Sequence, residues 1–199
     1  FIVYGVHKDG LKDPMGYPFI DEQVIIQSKQ VLIERGIELV EYPLVIATKE
    51  EAKLALKKMK DDEKVDGVIL FSGTWVWAAN LIAAIRDFGM SGKGICIWTH
   101  PGSQGWRPVG GLVLHGALME VGITHKFVYG LTDEPHEIDK IISFSQACHL
   151  KNRLNQATIG AFGGRGMGQT VGVADPSQWM KTFGLDIDSR DTTELIRTA

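Results

Sequence analysis

Residues Val65–Thr99 read VDGVILFSGTWVWAANLIAAIRDFGMSGKGICIWT. Two short apolar runs, Val65–Phe71 and Gly94–Thr99, flank Ala78–Phe88, and Gly89 closes that middle segment. A short apolar run bounded by Gly and turn residues reads as a strand covered on both faces. Strand, helix and strand in succession make a βαβ unit, which implies a parallel sheet. Gly67–Ile85 also lacks any charged residue over 19 positions, close to the length of a membrane helix. Ser72, Gly73, Thr74 and Asn80 interrupt that stretch, so strand, loop and helix is the better parse and no membrane span is expected.

The same rhythm extends in both directions. Upstream, Phe1–Val6 reads as a strand and HKDGLKDPMGYPF as a long loop. A helix over Asp21–Arg35 carries Val24, Ile25, Ser28, Val31 and Leu32 on one face, and Gly36 stops it. Ile37–Tyr42 reads as a second strand. Thr48 and Glu51 form a capping box ahead of a helix with Ala52, Ala55, Leu56 and Met59 turned inward. Downstream, a helix over Gly110–Val121, a strand over Lys126–Tyr129 and a helix over Glu134–Asn155 complete five units by Gln156. The expected fold class is α/β, with a Rossmann-like parallel sheet flanked by helices over residues 1–156. Residues 157–199 restart the pattern: a strand at Thr158–Phe162, a helix capped by Asp175-Pro176, a strand at Leu185–Asp188 and a last helix after Asp191. They read as the beginning of a second, truncated α/β domain. The chain opens on Phe1 rather than Met, so it reads as a piece of something longer.

Composition narrows the function classes. Of 199 residues, 44% are hydrophobic and 23% charged, which suits a globular chain and not a disordered one. The net charge of −3 and the absence of a basic run argue against nucleic acid. Cys96 and Cys148 are too few for a disulfide framework and read as buried reduced thiols, which suits the cytoplasm.

Ligands of open α/β sheets collect at the carboxyl ends of the strands. Three loops there carry chemistry: His7-Lys8-Asp9-Gly10, Ser72–Trp77, and Thr99–Pro108. They supply hydroxyls, an amide, indoles and cationic donors, the mixture that binds a sugar through its hydroxyls and its C–H faces. Trp77 and Trp98 have a competing reading as core. Gly163–Gly168 does not have the G-x-G-x-x-G spacing, and its helix does not open on the glycines, so a dinucleotide is disfavoured. The six His show no metal-ligand spacing, and G-x-S-x-G is absent. The residues alone therefore offer a binding surface without a complete catalytic set.

The stretch ATIGAFGGRGMGQTVGVADPSQWMKTFGLDIDSRDTTELIR, Ala157–Arg197, resembles the L-fucose isomerase family, which includes D-arabinose isomerases of that fold. A glycine-rich loop with Met-Gly, an Asp before a Trp-bearing helix, a Phe-Gly turn and Asp-x-x-Glu-Leu follow in that family's order. Weaker similarity covers Gly5–Gly16, the Trp75 loop and Arg107–Gly111. The resemblance implies an aldose–ketose isomerase acting through an ene-diol on L-fucose- or D-arabinose-like sugars. It implies manganese held by two carboxylates and a His beyond this region, so no catalytic or metal-ligating residue is assigned here. A bound cation stabilises developing oxyanion charge while a carboxylate moves the proton between C1 and C2. The resemblance further implies a homo-oligomer, a hexamer, in which this region closes over a neighbour's site. Trp75 matches the Trp that stacks on the sugar and Met167 the Met of the glycine loop. His7 and Lys8 stand where the family has an Arg loop, which puts its bidentate recognition in doubt. Thr74, Trp106, Arg107 and Arg165 complete the expected substrate-binding set. The competing reading is a non-catalytic sugar-binding or assembly module on the same sheet. An NAD-type domain is disfavoured by the long, proline-broken first loop.

Overall fold

The computed structural model describes residues 1–5, 21–101, 107–155, 157–163 and 175–198. The chain divides into two compact units, Phe1–Cys148 and His149–Ala199.

The first unit is a Rossmann-like α/β layer structure. Its strands are β1 (Ile2–Tyr4), β2 (Gly67–Ser72), β3 (Gly94–Thr99) and β4 (Lys126–Tyr129), all parallel and in the order β1-β2-β3-β4. Its helices are α1 (Glu22–Glu34), α2 (Lys49–Asp61), α3 (Ala78–Gly89), α4 (Arg107–Glu120) and α5 (Pro135–Asn155), the last of which runs past Cys148. The two-residue period of a strand sorts its side chains onto opposite faces. Ile2, Tyr4, Val68, Leu70, Ile95 and Ile97 face one core, with Leu56 of α2, Phe88 of α3 and Leu118 of α4. Val3, Ile69, Phe71, Cys96 and Trp98 face the other, with Leu32 of α1 and Ile141 of α5. Phe71 and Trp98 meet edge to face at 5.3 Å, an arrangement favoured by the ring quadrupoles.

Local signals set most boundaries. Glu51 N donates to Thr48 Oγ1 at 3.3 Å and Thr48 N donates to Glu51 Oε2 at 2.9 Å, so the capping box forms. Gly36 takes φ 87° after α1, a conformation that costs a glycine little.

The strand expected at Ile37–Tyr42 does not form. That segment runs beside β1 and exchanges only Phe1 N to Val40 O (2.7 Å) and Tyr42 N to Phe1 O (3.0 Å). The pairing goes no further because β1 is only three residues long and its next carbonyl, Val3 O, accepts from Ile46 N at 3.0 Å. The chain returns to the sheet edge at Ile46, which bridges Tyr4 in parallel. Counting that bridge, the connection after β1 goes to one edge and the connection after β2 to the other. The β1/β2 boundary is thus the topological switch point.

The second unit pairs β5 (Thr158–Phe162) with β6 (Asp186–Arg190) in parallel, with Ile159 opposite Ile187. Between them lies α6 (Pro176–Phe183), and α7 (Thr192–Thr198) follows. Asp175 caps α6 by accepting from Ser177 N at 2.9 Å, and Gly184 ends it at φ 71°. Leu185 is the one buried side chain among this unit's described residues. Ile159, Phe162, Met180, Phe183 and Ile196 are exposed.

Candidate functional site

The carboxyl ends of β1, β2 and β3 are held by close backbone approaches. Gly73 N donates to Tyr4 O at 2.8 Å, and Gly5 N donates to Ile46 O at 2.9 Å. A Cβ on Gly5 would stand 2.9 Å from Thr74 N. The first turn of α4 is set directly on these ends. Gly110 rests on Thr74 O, Gly111 rests on the Thr99 side chain, and Ser72 Oγ donates to Arg107 O at 2.7 Å. Consecutive glycines at the start of a helix make sense here, because any side chain would collide with β2 or β3. This helix opens at Arg107, ahead of the expected Gly110, and so delivers the Arg107 side chain to the site.

Arg107 is 6% exposed. Its Nη2 lies 3.8 Å from Asp21 Oδ2, and its Nη1 reaches His100 Nδ1 at 3.5 Å. Asp21 is the N-cap of α1 as well, accepting from Val24 N at 3.3 Å, so one carboxylate ties α1 to the mouth of the sheet. Burial pulls the Arg107 pKa below its ordinary value, and Asp21 opposes that pull. Burial, then the Arg107 charge, hold the His100 pKa below the ordinary imidazole value. A guanidinium has only donors, so His100 Nδ1 accepts and Nε2 carries the proton in the neutral ring.

His100 borders an open cleft of about 520 Å³. Gln27, Gln30 and Glu34 of α1 form one wall, and Thr132 and Asp133 from the turn after β4 form the other. Val31 and Leu131 supply apolar floor. Gln30 Nε2 donates to Glu34 Oε1 at 2.8 Å. Amides, carboxylates, a hydroxyl and an imidazole around a small apolar floor suit a polyhydroxylated ligand. Among the described residues that line the cleft there is no Lys or Arg.

Beside β2, Trp75 and Trp77 pack with ring centroids 4.3 Å apart at 60°. Val76 between them is core at 3% exposure. Trp75 is half-buried and Trp77 is 65% exposed, so Trp77 belongs to the surface and not to the core. Trp98 is core as expected, fully buried with Nε1 donating to Gly130 O at 3.0 Å.

Of the residues expected to touch substrate, Trp75 offers a partly accessible indole at the strand ends. Thr74 is 4% exposed and packed against Gly5, which makes it part of the wall. Arg107 is engaged beneath the surface with Asp21 and His100. His7, Lys8, Trp106, Arg165 and Met167 lie outside the described residues. Sequence reasoning missed Asp21 and the cleft walls. Asp21 carried a readable N-cap signal. Gln27, Gln30 and Glu34 lie at i, i+3 and i+7 on α1, a spacing that an ordinary solvated face shares. Among the described residues no three His, Cys, Asp or Glu side chains come together to hold a metal ion, so no step through manganese is derived from them. Nor is any described helix long and apolar enough to cross a membrane.

No known protein-family model matches this chain, and no curated protein matches it.

Proposed function

We propose that this chain is the amino-terminal region of a metal-dependent aldose–ketose isomerase acting on L-fucose- or D-arabinose-like sugars, in which it encloses substrate and supports a homo-oligomer. The observation that carries the reading is the Trp75–Trp77 pair at the carboxyl end of β2, next to strand ends rich in hydrogen-bonding groups. An indole face binds the C–H face of a sugar, and the separate cleft at His100 offers amide, carboxylate and hydroxyl groups of the kind that hold its hydroxyls. The resemblance of Ala157–Arg197 to the L-fucose isomerase family supplies the reaction class. Manganese, where bound by the longer enzyme, supplies Lewis-acid polarisation of the sugar carbonyl. The work left to this chain is to orient the ring and to exclude water over it.

The test is tryptophan fluorescence of this chain titrated with L-fucose and with D-arabinose. The reading expects a saturable change that Trp75→Ala abolishes while the far-ultraviolet dichroism stays unchanged. An isomerase assay of the longer enzyme with and without EDTA accompanies it. Absence of sugar-dependent quenching, or turnover indifferent to Trp75→Ala, overturns the enclosure role.

A further inference from the structure

Among the described residues, the outer face of α4 is apolar and unpartnered. Val109, Leu112, Val113 and Met119 are 37%, 49%, 43% and 64% exposed, and they fall on one side of the helix at i, i+3, i+4 and i+10. No charged residue occurs from Pro108 to Met119. In the middle of this face stands Gly116, exposed and helical, with nothing within 4 Å of where its Cβ would be. The chain's own packing has no need of a glycine there, and a mid-helix glycine costs about 1 kcal/mol relative to Ala. Gly110 and Gly111 on the same helix are explained by close approach to β2 and β3, whereas Gly116 faces away from the sheet.

We infer that this face is the interface between two copies of this chain, with α4 crossing α4 antiparallel about a twofold axis that passes the exposed face at the level of Leu114, whose own side chain is buried on the far side. Symmetry makes the fit reciprocal. Leu112 and Gly116 lie two residues either side of Leu114, so Leu112 of each copy enters the notch left by Gly116 of the other. Val109 and Met119 lie five residues either side and meet in the same way. The four side chains expose roughly 350 Å² of apolar surface. One side of a standard interface buries about 800 Å², somewhat over half of it apolar, so the stripe supplies most of the apolar part of what a stable dimer buries, and the flanking polar surface supplies the rest. The inference rests on the homo-oligomer part of the proposed function and uses no residue of the sugar site, so the two can fail separately.

Sedimentation velocity of the 199-residue chain tests it. The native chain is expected to sediment as a dimer. Gly116→Leu fills the notch without touching the chain's own packing, and is expected to weaken association at least tenfold while leaving dichroism intact and the dilute chain no less stable. If that variant lost its fold, Leu112→Asn would decide by the same readout. A mixture of Leu112→Cys and Gly116→Cys chains is expected to crosslink to each other in preference to themselves. A native chain that stays monomeric at its highest soluble concentration overturns the inference. So does a Gly116→Leu chain that remains folded and dimeric, which would place any association elsewhere.

Discussion

Nδ1 of His115 lies 2.8 Å from Nε2 of His125, and the remaining ring nitrogen of His125 lies 2.8 Å from the carbonyl of Ile123. The carbonyl can only accept, so His125 Nδ1 carries a proton. In the neutral pair, His125 Nε2 accepts and His115 Nδ1 donates. His115 also stacks on Phe127 at 4.2 Å, nearly parallel. Burial, then the neighbouring His125, hold the His115 pKa below its ordinary value. A histidine lowered in this way favours folding while neutral. Its contribution is complete above the unfolded value of about 6.5 and falls away as the pH drops toward the folded value. His100 is lowered too and adds with the same sign. The melting midpoint should therefore decline below about pH 6.5, and His115→Gln should shallow that decline. Calorimetric scans across that range decide it, and an unchanged slope in the variant would remove His115 from the account.

The glycines of α4 predict opposite signs for one substitution. Gly111→Ala drives a methyl into the Thr99 side chain, and overpacking of this kind costs about 1–3 kcal/mol, more than the helix propensity returns. Gly116→Ala meets open space and should stabilise the dilute chain by about 0.5–1 kcal/mol. Urea denaturation of the two variants beside the native chain gives both numbers.

Arg107→Met should raise the pKa of His100, because the Arg107 charge is the second cause of its depression. Burial, the larger cause, remains, so recovery to the ordinary value should be incomplete. A proton NMR titration of the His100 ring follows it directly. No movement would mean that burial alone sets the value.

The two indoles that competed for a core reading should separate cleanly. Trp98→Phe leaves the buried carbonyl of Gly130 without its donor and should cost about 1–3 kcal/mol. Trp77→Ala removes a side chain 65% exposed and should cost less than about 1 kcal/mol. Should Trp77→Ala prove the more damaging of the two, the assignment of surface and core would be reversed.

The sheet was legible in the sequence because burial on both faces leaves a plain mark. Val68–Phe71 and Ile95–Trp98 are apolar without interruption, and each sits in the strand expected of it. The capping box at Thr48 and the stop at Gly36 were readable as local chemistry. Ile37–Tyr42 misled for a physical reason: apolar alternation marks a half-buried extended segment whether or not a ladder forms along it. At the site, the indole loop was legible because tryptophan is conspicuous. The linkage of Asp21, Arg107 and His100 was not, because it joins positions up to 86 residues apart through a sheet crossing that no local pattern encodes. The polar wall of α1 was hidden for a different reason, since its amides and carboxylate look like any hydrated helix surface.

The register of β1 carries a consequence for the order in which the sheet assembles. Val68 pairs with Ile95, a separation of 27 residues, whereas Ile2 pairs with Leu70, a separation of 68. Closing the longer loop costs about 0.8 kcal/mol more by chain entropy, before any contact repays it. At ribosomal rates of about 5–20 residues per second, β1 waits several seconds for the strand it needs. Until β2 has been made, β1 has only the short edge segment from Val40 to Ile46 to hold it.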